Sequence, residues 1–328
     1  MISAFDLLTS DVMRYPLIIA VLIGLTAPVV GTFLVQKRLS LLGDGLGHVA
    51  LTGVAAGWLV GAWISVSPHD LLAIPGALIA SVLGALAIEY VREIGHTSRD
   101  VALAILFYGG IAGGVVIIQL AGGTSQNLMG YLFGSLSTVT ATDLTIALVL
   151  AVVVLAVGLG LSGLLAAVTT DEEFARASGL PVRLVNVLIA VMAALTVTLS
   201  MRIVGALMVS ALMIVPVAAA QTMVVGFGRT MRTAMAIAVL AALGGLLITV
   251  YVDLPPGGVI VLLSIGVYVL GLISRAVLGS PRRRERPAAD RSGQPAAEQP
   301  GPSTPGQRER QAAERGVSST ARTPHHPA

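Results

Sequence analysis

The chain has 328 residues and no cysteine; 55% of it is hydrophobic, only 11% is charged, and its mean hydropathy is +0.89. A water-soluble domain carries about 25% charged residues, so most of this chain is built for lipid, and disulfides and thiolate metal sites are excluded. The net charge of +3 is unevenly shared: residues 280–328 hold nine arginines and five acidic residues, and the rest of the chain carries −1. The basic character therefore belongs to a tail, and nothing points to nucleic acid as a partner.

Residues 1–15 form a lead-in that lacks the apolar stretch and small-residue cleavage site of a secretory signal. Residues 16–35 are the first apolar run of spanning length, about 20 residues, with a kink expected at Pro28. Lys37 and Arg38 close it. Spans two to four follow at about 45–66, 71–91 and 101–120, the third ending near Glu89, which reaches the interface or pairs with Arg92. Residues 122–136 are too short and polar to cross a bilayer and too apolar for an ordinary loop, which predicts a re-entrant or interfacial segment. The fifth run covers about 142–168.

A short helix outside the bilayer is expected next. Thr170 and Glu173 have capping-box spacing, Gly179 suits a C-cap, and Pro181 prevents continuation. The sixth and seventh runs, 182–199 and 203–225, are separated only by Ser200, Met201 and Arg202, so they count as two spans or as one bent element. The eighth and ninth cover 231–252 and 259–273. The positive-inside rule places the N-terminus outside and the tail inside. The domain boundaries read as lead-in 1–15, membrane domain 16–275, and an Arg/Pro-rich tail 276–328. The tail is too polar to bury a core and is expected to be disordered.

The stretch that carries chemistry is Leu42-Gly43-Asp44-Gly45-Leu46-Gly47-His48. Asp44 and His48 are four apart, so on a helix they share a face. A carboxylate and an imidazole meeting there suit a borderline divalent cation. Glycines 43, 45, 47, 53 and 57 leave the helix bare for close packing. The competing reading makes Asp44 a helix cap and His48 a hydrogen-bonded core histidine, since two ligands do not make a metal site. Arg202 reads as an outer-mouth charge or a helix-end snorkel, the snorkel being preferred; Met201, Met208 and Met213 read as soft ligands for copper(I) or as packing, the helical spacing favouring packing. The chain has no G-x-x-x-x-G-K-S/T loop, so it does not bind ATP by that motif.

The stretch Lys37-Arg38-Leu39-Ser40-Leu41-Leu42-Gly43-Asp44-Gly45-Leu46-Gly47-His48 resembles the start of the second helix in permeases of the zinc/manganese (metal ion) ABC importers, the ABC-3 family. The resemblance continues through Tyr131-Leu132-Phe133-Gly134-Ser135-Leu136, the helix near 171–179, residues 203–220, and Asp253-Leu254-Pro255-Pro256-Gly257-Gly258. It implies an all-α integral membrane protein of about eight to nine transmembrane helices, similar in fold to the vitamin B12 and siderophore importer permeases, in the cytoplasmic (inner) membrane. It implies a homodimer that takes a divalent metal, zinc first and then manganese or iron, from an extracytoplasmic solute-binding protein. ATP hydrolysis then belongs to a separate ABC ATPase subunit, and the permease is no enzyme and holds no permanent cofactor. Asp44 and His48 map onto the metal-contacting pair. Asp171, Glu172, Glu173, Phe174, Ala175, Arg176, Ala177, Ser178 and Gly179 map onto the cytoplasmic coupling helix.

Two features depart from the family pattern. Many relatives carry a small residue or threonine at position 45 and alanine at 47. The arginine-rich tail is additional, and its charge favours contact with anionic lipid. Two alternatives remain at this stage: an importer of a metal chelate or siderophore, and a proton-coupled metal transporter, although no clear internal repeat of the kind secondary transporters show is present.

Overall fold

Lipid offers the backbone no hydrogen-bond partners, so spanning segments close their own bonds as helices, about 20 residues for a hydrocarbon core of about 30 Å. The computed structural model describes residues 11–65, 69–94, 99–122, 125–135, 139–252 and 254–277. Residues 1–10 of the expected lead-in, Asp253 and residues 278–328 of the tail lie outside the described residues.

Among the described residues twelve α-helices follow one another: α1 Asp11–Gln36, α2 Leu42–Trp63, α3 Ala73–Ile94, α4 Arg99–Leu120, α5 Ser125–Phe133, α6 Ala141–Gly160, α7 Ser162–Thr170, α8 Glu172–Ala177, α9 Val182–Ser200, α10 Val209–Met223, α11 Phe227–Tyr251 and α12 Pro256–Val277. Eight of these, α1, α2, α3, α4, α6, α9, α11 and α12, are long and apolar enough to cross a membrane. The protein is an all-α, multi-pass membrane protein. α1, α2 and α9 form the buried centre, with Ile23, Phe33, Leu46, Val54, Ala193 and Val197 inaccessible. α4 turns Val101, Ile105, Tyr108, Val116 and Leu120 outward, the apolar exterior that a lipid solvent permits.

Three runs, the fifth, the first and the seventh, differ from the sequence expectation. The fifth is not one helix, because it breaks at Leu161, between α6 and α7. The local sequence Gly158-Leu159-Gly160-Leu161-Ser162-Gly163 is poor in helix formers. The first helix starts at Asp11 rather than near Pro16.

The seventh run is also interrupted. α10 has 15 residues, about 22 Å of helix, and residues 201–208 before it are not helical. Their backbone groups still need partners, and the 122–136 segment supplies them. Ala206 N donates to Tyr131 O at 2.9 Å, Leu207 N to Leu132 O at 3.2 Å, and Ser135 N to Arg202 O at 3.0 Å. The short helix α5 therefore closes the broken helix by main-chain bonds. Two glycines make this approach possible: Gly134 (φ 82°) and Gly205 (φ 86°) are left-handed, and a Cβ on either would run into the facing carbonyls of Ile203 or Leu132. Gly257 at the start of α12 sits equally tightly on Val204 O.

Gly205→Ala is expected to cost about 1–2 kcal/mol for the left-handed backbone alone, with the clash against Leu132 O added. Gly258→Ala, whose Cβ would meet only Pro255 Cγ at 3.9 Å, is expected to be neutral. Thermal unfolding of the two purified variants in detergent checks the contrast.

Candidate metal pathway

Asp44 lies in the first turn of α2, but it does not cap the helix. The cap position is Leu41, which makes no side-chain bond. Asp44 points instead at the second residue of α10, where Ser210 Oγ donates to Asp44 Oδ1 at 3.4 Å. That separation is long for a hydroxyl–carboxylate bond, so the carboxylate is only loosely held. One turn along α2, His48 is 4% exposed. Its ring meets Phe107 of α4 edge-on, with centroids 4.3 Å apart. His48 Nδ1 is buried and has no hydrogen-bond partner. A core histidine held by hydrogen bonds would have satisfied that atom, and leaving it unmade costs about 1–3 kcal/mol. An unpaired imidazole nitrogen one turn from a loosely held carboxylate fits a cation.

The surroundings of the pair follow from the missing side chains of α2. A Cβ at Gly47 would lie 2.7 Å from Ala206 O, in the non-helical stretch before α10. On α4, a Cβ at Gly110 would lie 2.7 Å from His48 C. Thr52 Oγ1 donates to Gly110 O at 2.5 Å, pinning α4 to α2 one turn beyond the histidine. The interrupted stretch and the start of α10 thus pack against the turn of α2 that carries the carboxylate and the imidazole. Among the described residues no group of three His, Asp or Glu forms within this chain.

At the basic end of the bundle the expected short helix is present as α8, with one correction. Its cap is Asp171 rather than Thr170: Phe174 N donates to Asp171 Oδ1 at 2.8 Å, and Thr170 is the last residue of α7. Its other end closes as anticipated at Gly179 (φ 77°), with Leu180 N donating to Ala175 O and Gly179 N to Arg176 O, the paired bonds of a Schellman turn. Phe174 is 71% exposed, Ala175 is buried, and Glu173, Arg176 and Ala177 face outward. Glu172 turns inward.

Sequence reasoning missed one cluster. Arg202 does not snorkel. Its Nε lies 3.4 Å from Asp143 Oδ1, with the two side chains 12% and 6% exposed. Its guanidinium sits 5.7 Å from the ring centroid of Tyr131, which packs edge-on against Trp58 of α2. Asp143 also closes a capping box with Thr140. The Thr140-x-x-Asp143 spacing is a legible cap signal; the arginine 59 positions later is not. Met201 and Met213 are buried in the core, as the packing reading expected.

The fold and these features define the class: a multi-span helical permease with an interrupted helix beside a polar pair and a short helix displayed at its basic end. The chain belongs to the ABC 3 transport family, whose sequence profile matches residues 9–275. It is 30% identical to the manganese transport system membrane protein MntC of Halalkalibacterium halodurans, over 81% of this chain and 88% of that one. It is also 30% identical to the high-affinity zinc uptake system membrane protein ZnuB of Haemophilus influenzae, over 76% and 92%. Among solved structures it superposes on PsaBC from Streptococcus pneumoniae, determined in complex with Fab, with a TM-score of 0.72 at 26% identity, covering 82% of this chain and 94% of that chain.

The glycines of α2 make a sharp test of this geometry. Gly47→Ala is expected to displace residues 203–208 and to cost about 1–3 kcal/mol, the range for overpacking. Gly45→Ala would meet the flexible end of Leu106 at 3.1 Å and Leu103 O at an ordinary contact distance of 3.9 Å, and is expected to be neutral or stabilising, because alanine is favoured in helices by about 0.5–1 kcal/mol. Unfolding midpoints of the two proteins in detergent give the comparison.

Proposed function

We propose that this chain is the membrane subunit of an ATP-driven importer of a divalent transition metal ion, zinc first, with manganese and iron(II) as the next candidates. The observation that carries this reading is the Asp44–His48 pair, with the buried, unpaired Nδ1 of His48 and the weakly held carboxylate of Asp44 beside the interrupted α9–α10 segment. The names of the manganese and zinc relatives support the same cargo.

One chain supplies two ligands, and a second copy would bring the set to four, the number a tetrahedral zinc site uses. The metal is cargo and not a resident cofactor. It arrives from an extracytoplasmic solute-binding protein at the end of the bundle where α5 and residues 201–208 lie. ATP hydrolysis resides on a separate ATPase, which docks on α8 with Phe174 as its apolar anchor. ATP-driven closure of two ATPase subunits moves α8 and alternates the access of the pathway.

Replacing Asp44 or His48 by alanine is expected to lower metal affinity at least about 10-fold and to abolish uptake while leaving assembly intact. Radiometal uptake into vesicles containing the reconstituted complex is the measurement, and retention of both affinity and uptake in the double variant would exclude this pair as the site. Phe174→Ala is expected to weaken ATPase retention about 10-fold or more, as loss of a buried aromatic anchor does. Co-purification of the two subunits reads it.

A further inference from the structure

The resemblance made residues 171–179 a cytoplasmic coupling helix, here α8. The structure divides that helix into two faces. Phe174 and Arg176 are well exposed, whereas Glu172 is turned toward the membrane domain, where, among the described residues, groups from α3, the α1–α2 turn, α9 and α8 itself converge on its carboxylate. Arg92 Nη2 of α3 lies 3.4 Å from Oε2, and Lys37 Nζ, at the turn between α1 and α2, lies 3.7 Å from the same oxygen. Asn186 Nδ2 of α9 donates to Oε1 at 3.2 Å, and Arg176 Nη2 of α8 itself stands 3.5 Å from Oε1. Asn186 Oδ1 in turn accepts from Lys37 Nζ. Arg92 is further held by Glu89, at 2.8 and 3.0 Å.

Screening does not disable this cluster as it does a surface pair. The Lys37 and Arg92 side chains are 5% and 12% exposed, although Glu172 is 31% exposed and the exposed Arg176 contributes little. Two nearly buried cations sharing one carboxylate cost more when that partner is lost than an exposed pair does.

The position of Lys37 gives the cluster a direction. Lys37 begins the five-residue turn 37–41 that leads into α2, and Asp44 lies in the first turn of α2. The turn is tight: Leu39 N donates to Leu34 O at 2.9 Å, Arg38 N donates to Val35 O at 3.1 Å, and Arg38 takes φ 58°. That is the left-handed conformation glycine prefers at such a position. A side chain there stores strain that the surroundings must hold. Beside the cluster is a cavity of about 330 Å³ lined by Gln36, Arg38, Thr170 and Glu172 among others. The clasp therefore has room to shift without forcing a packed core apart.

We propose that Glu172 is the positioning residue that carries a displacement of α8 into α2, by clasping Lys37 at the α1–α2 turn together with Arg92 on α3 and Asn186 on α9. In the importer reading above, on which this inference rests, α8 has two separate duties. The outward Phe174 holds the ATPase, and the inward Glu172 passes its movement through the strained turn to the segment bearing Asp44 and His48. Glu172 touches neither the metal nor the ATPase.

The test uses the full permease, alone and with its ATPase in vesicles. Glu172→Gln keeps the shape and removes the charge. Asn186→Ala breaks the link to α9 without leaving a cation unpaired, and serves if E172Q fails to insert. Both variants are expected to retain the ATPase and to hydrolyse ATP. Metal moved per ATP is expected to fall by about five-fold or more, the lower end of inter-site coupling. In the permease alone, hydrogen exchange at 37–41 is expected to speed up together with that at 171–179. Unchanged metal per ATP, or exchange that rises at 171–179 alone, would overturn the proposal. So would loss of the ATPase from the E172Q complex, because Glu172 would then belong to the docking surface. The exchange measurement needs no transport. A wild-type complex that moves no metal therefore counts against the importer reading, and the clasp is still decided by the amides at 37–41.

Discussion

The close approach of backbones around α2 is the constraint on which the site depends. Side chains are absent where backbones come nearest: Gly53 against Gly76, Gly57 against Leu72, Gly47 against Ala206, and Gly110 of α4 against His48. Lipid supplies no hydrophobic force to press helices together, so their association rests on van der Waals contact and hydrogen bonds at short range. Stripping α2 lets α3, α4 and the start of α10 pack onto its main chain. The polar side chains it keeps on this stretch, Asp44, His48 and Thr52, are then set into a protein interior.

A second constraint follows from the same solvent. A break such as 201–208 is tolerated at membrane depth only where protein provides the missing partners. Here α5 and the two residues after it provide them through main-chain bonds to Arg202, Ala206 and Leu207. The buried Arg202–Asp143 pair and the stacking of Arg202 over Tyr131 hold the same region from the side. Buried ion pairs add little net stability but cost much when one partner is lost, so this arrangement fixes one geometry for the broken segment. The short helix α5 thus has a structural role.

At the basic end, the charges serve connection more than solvation. The positive-inside pattern was read as a topology signal, yet Lys37 and Arg92 are largely buried and converge on Glu172. By contrast Arg183 and Glu93, 2.7 Å apart with 75% and 37% of their side chains exposed, form a surface pair of the ordinary weak kind. Burial separates the two cases, and burial is set by which helices meet.

The sequence by itself determined the class of molecule, the positions of most spanning runs to within a few residues, the short helix ended by Gly179, and the placement of Asp44 and His48 one turn apart on one helix. These are local properties: hydropathy over about 20 residues, capping chemistry and a four-residue spacing are all written along the chain. It left open whether 182–225 held one bent element or two, misplaced the cap of α8 by one residue, joined α6 to α7, and read Arg202 as a snorkel. Only the tertiary structure decided that Asp44 faces Ser210, that His48 Nδ1 is unpaired, that α5 and the residues after it complete a broken helix 67–75 residues away, and that Glu172 looks inward. Each of these joins residues far apart in sequence, and a one-dimensional pattern carries no term for which backbones will meet once the side chains between them are gone.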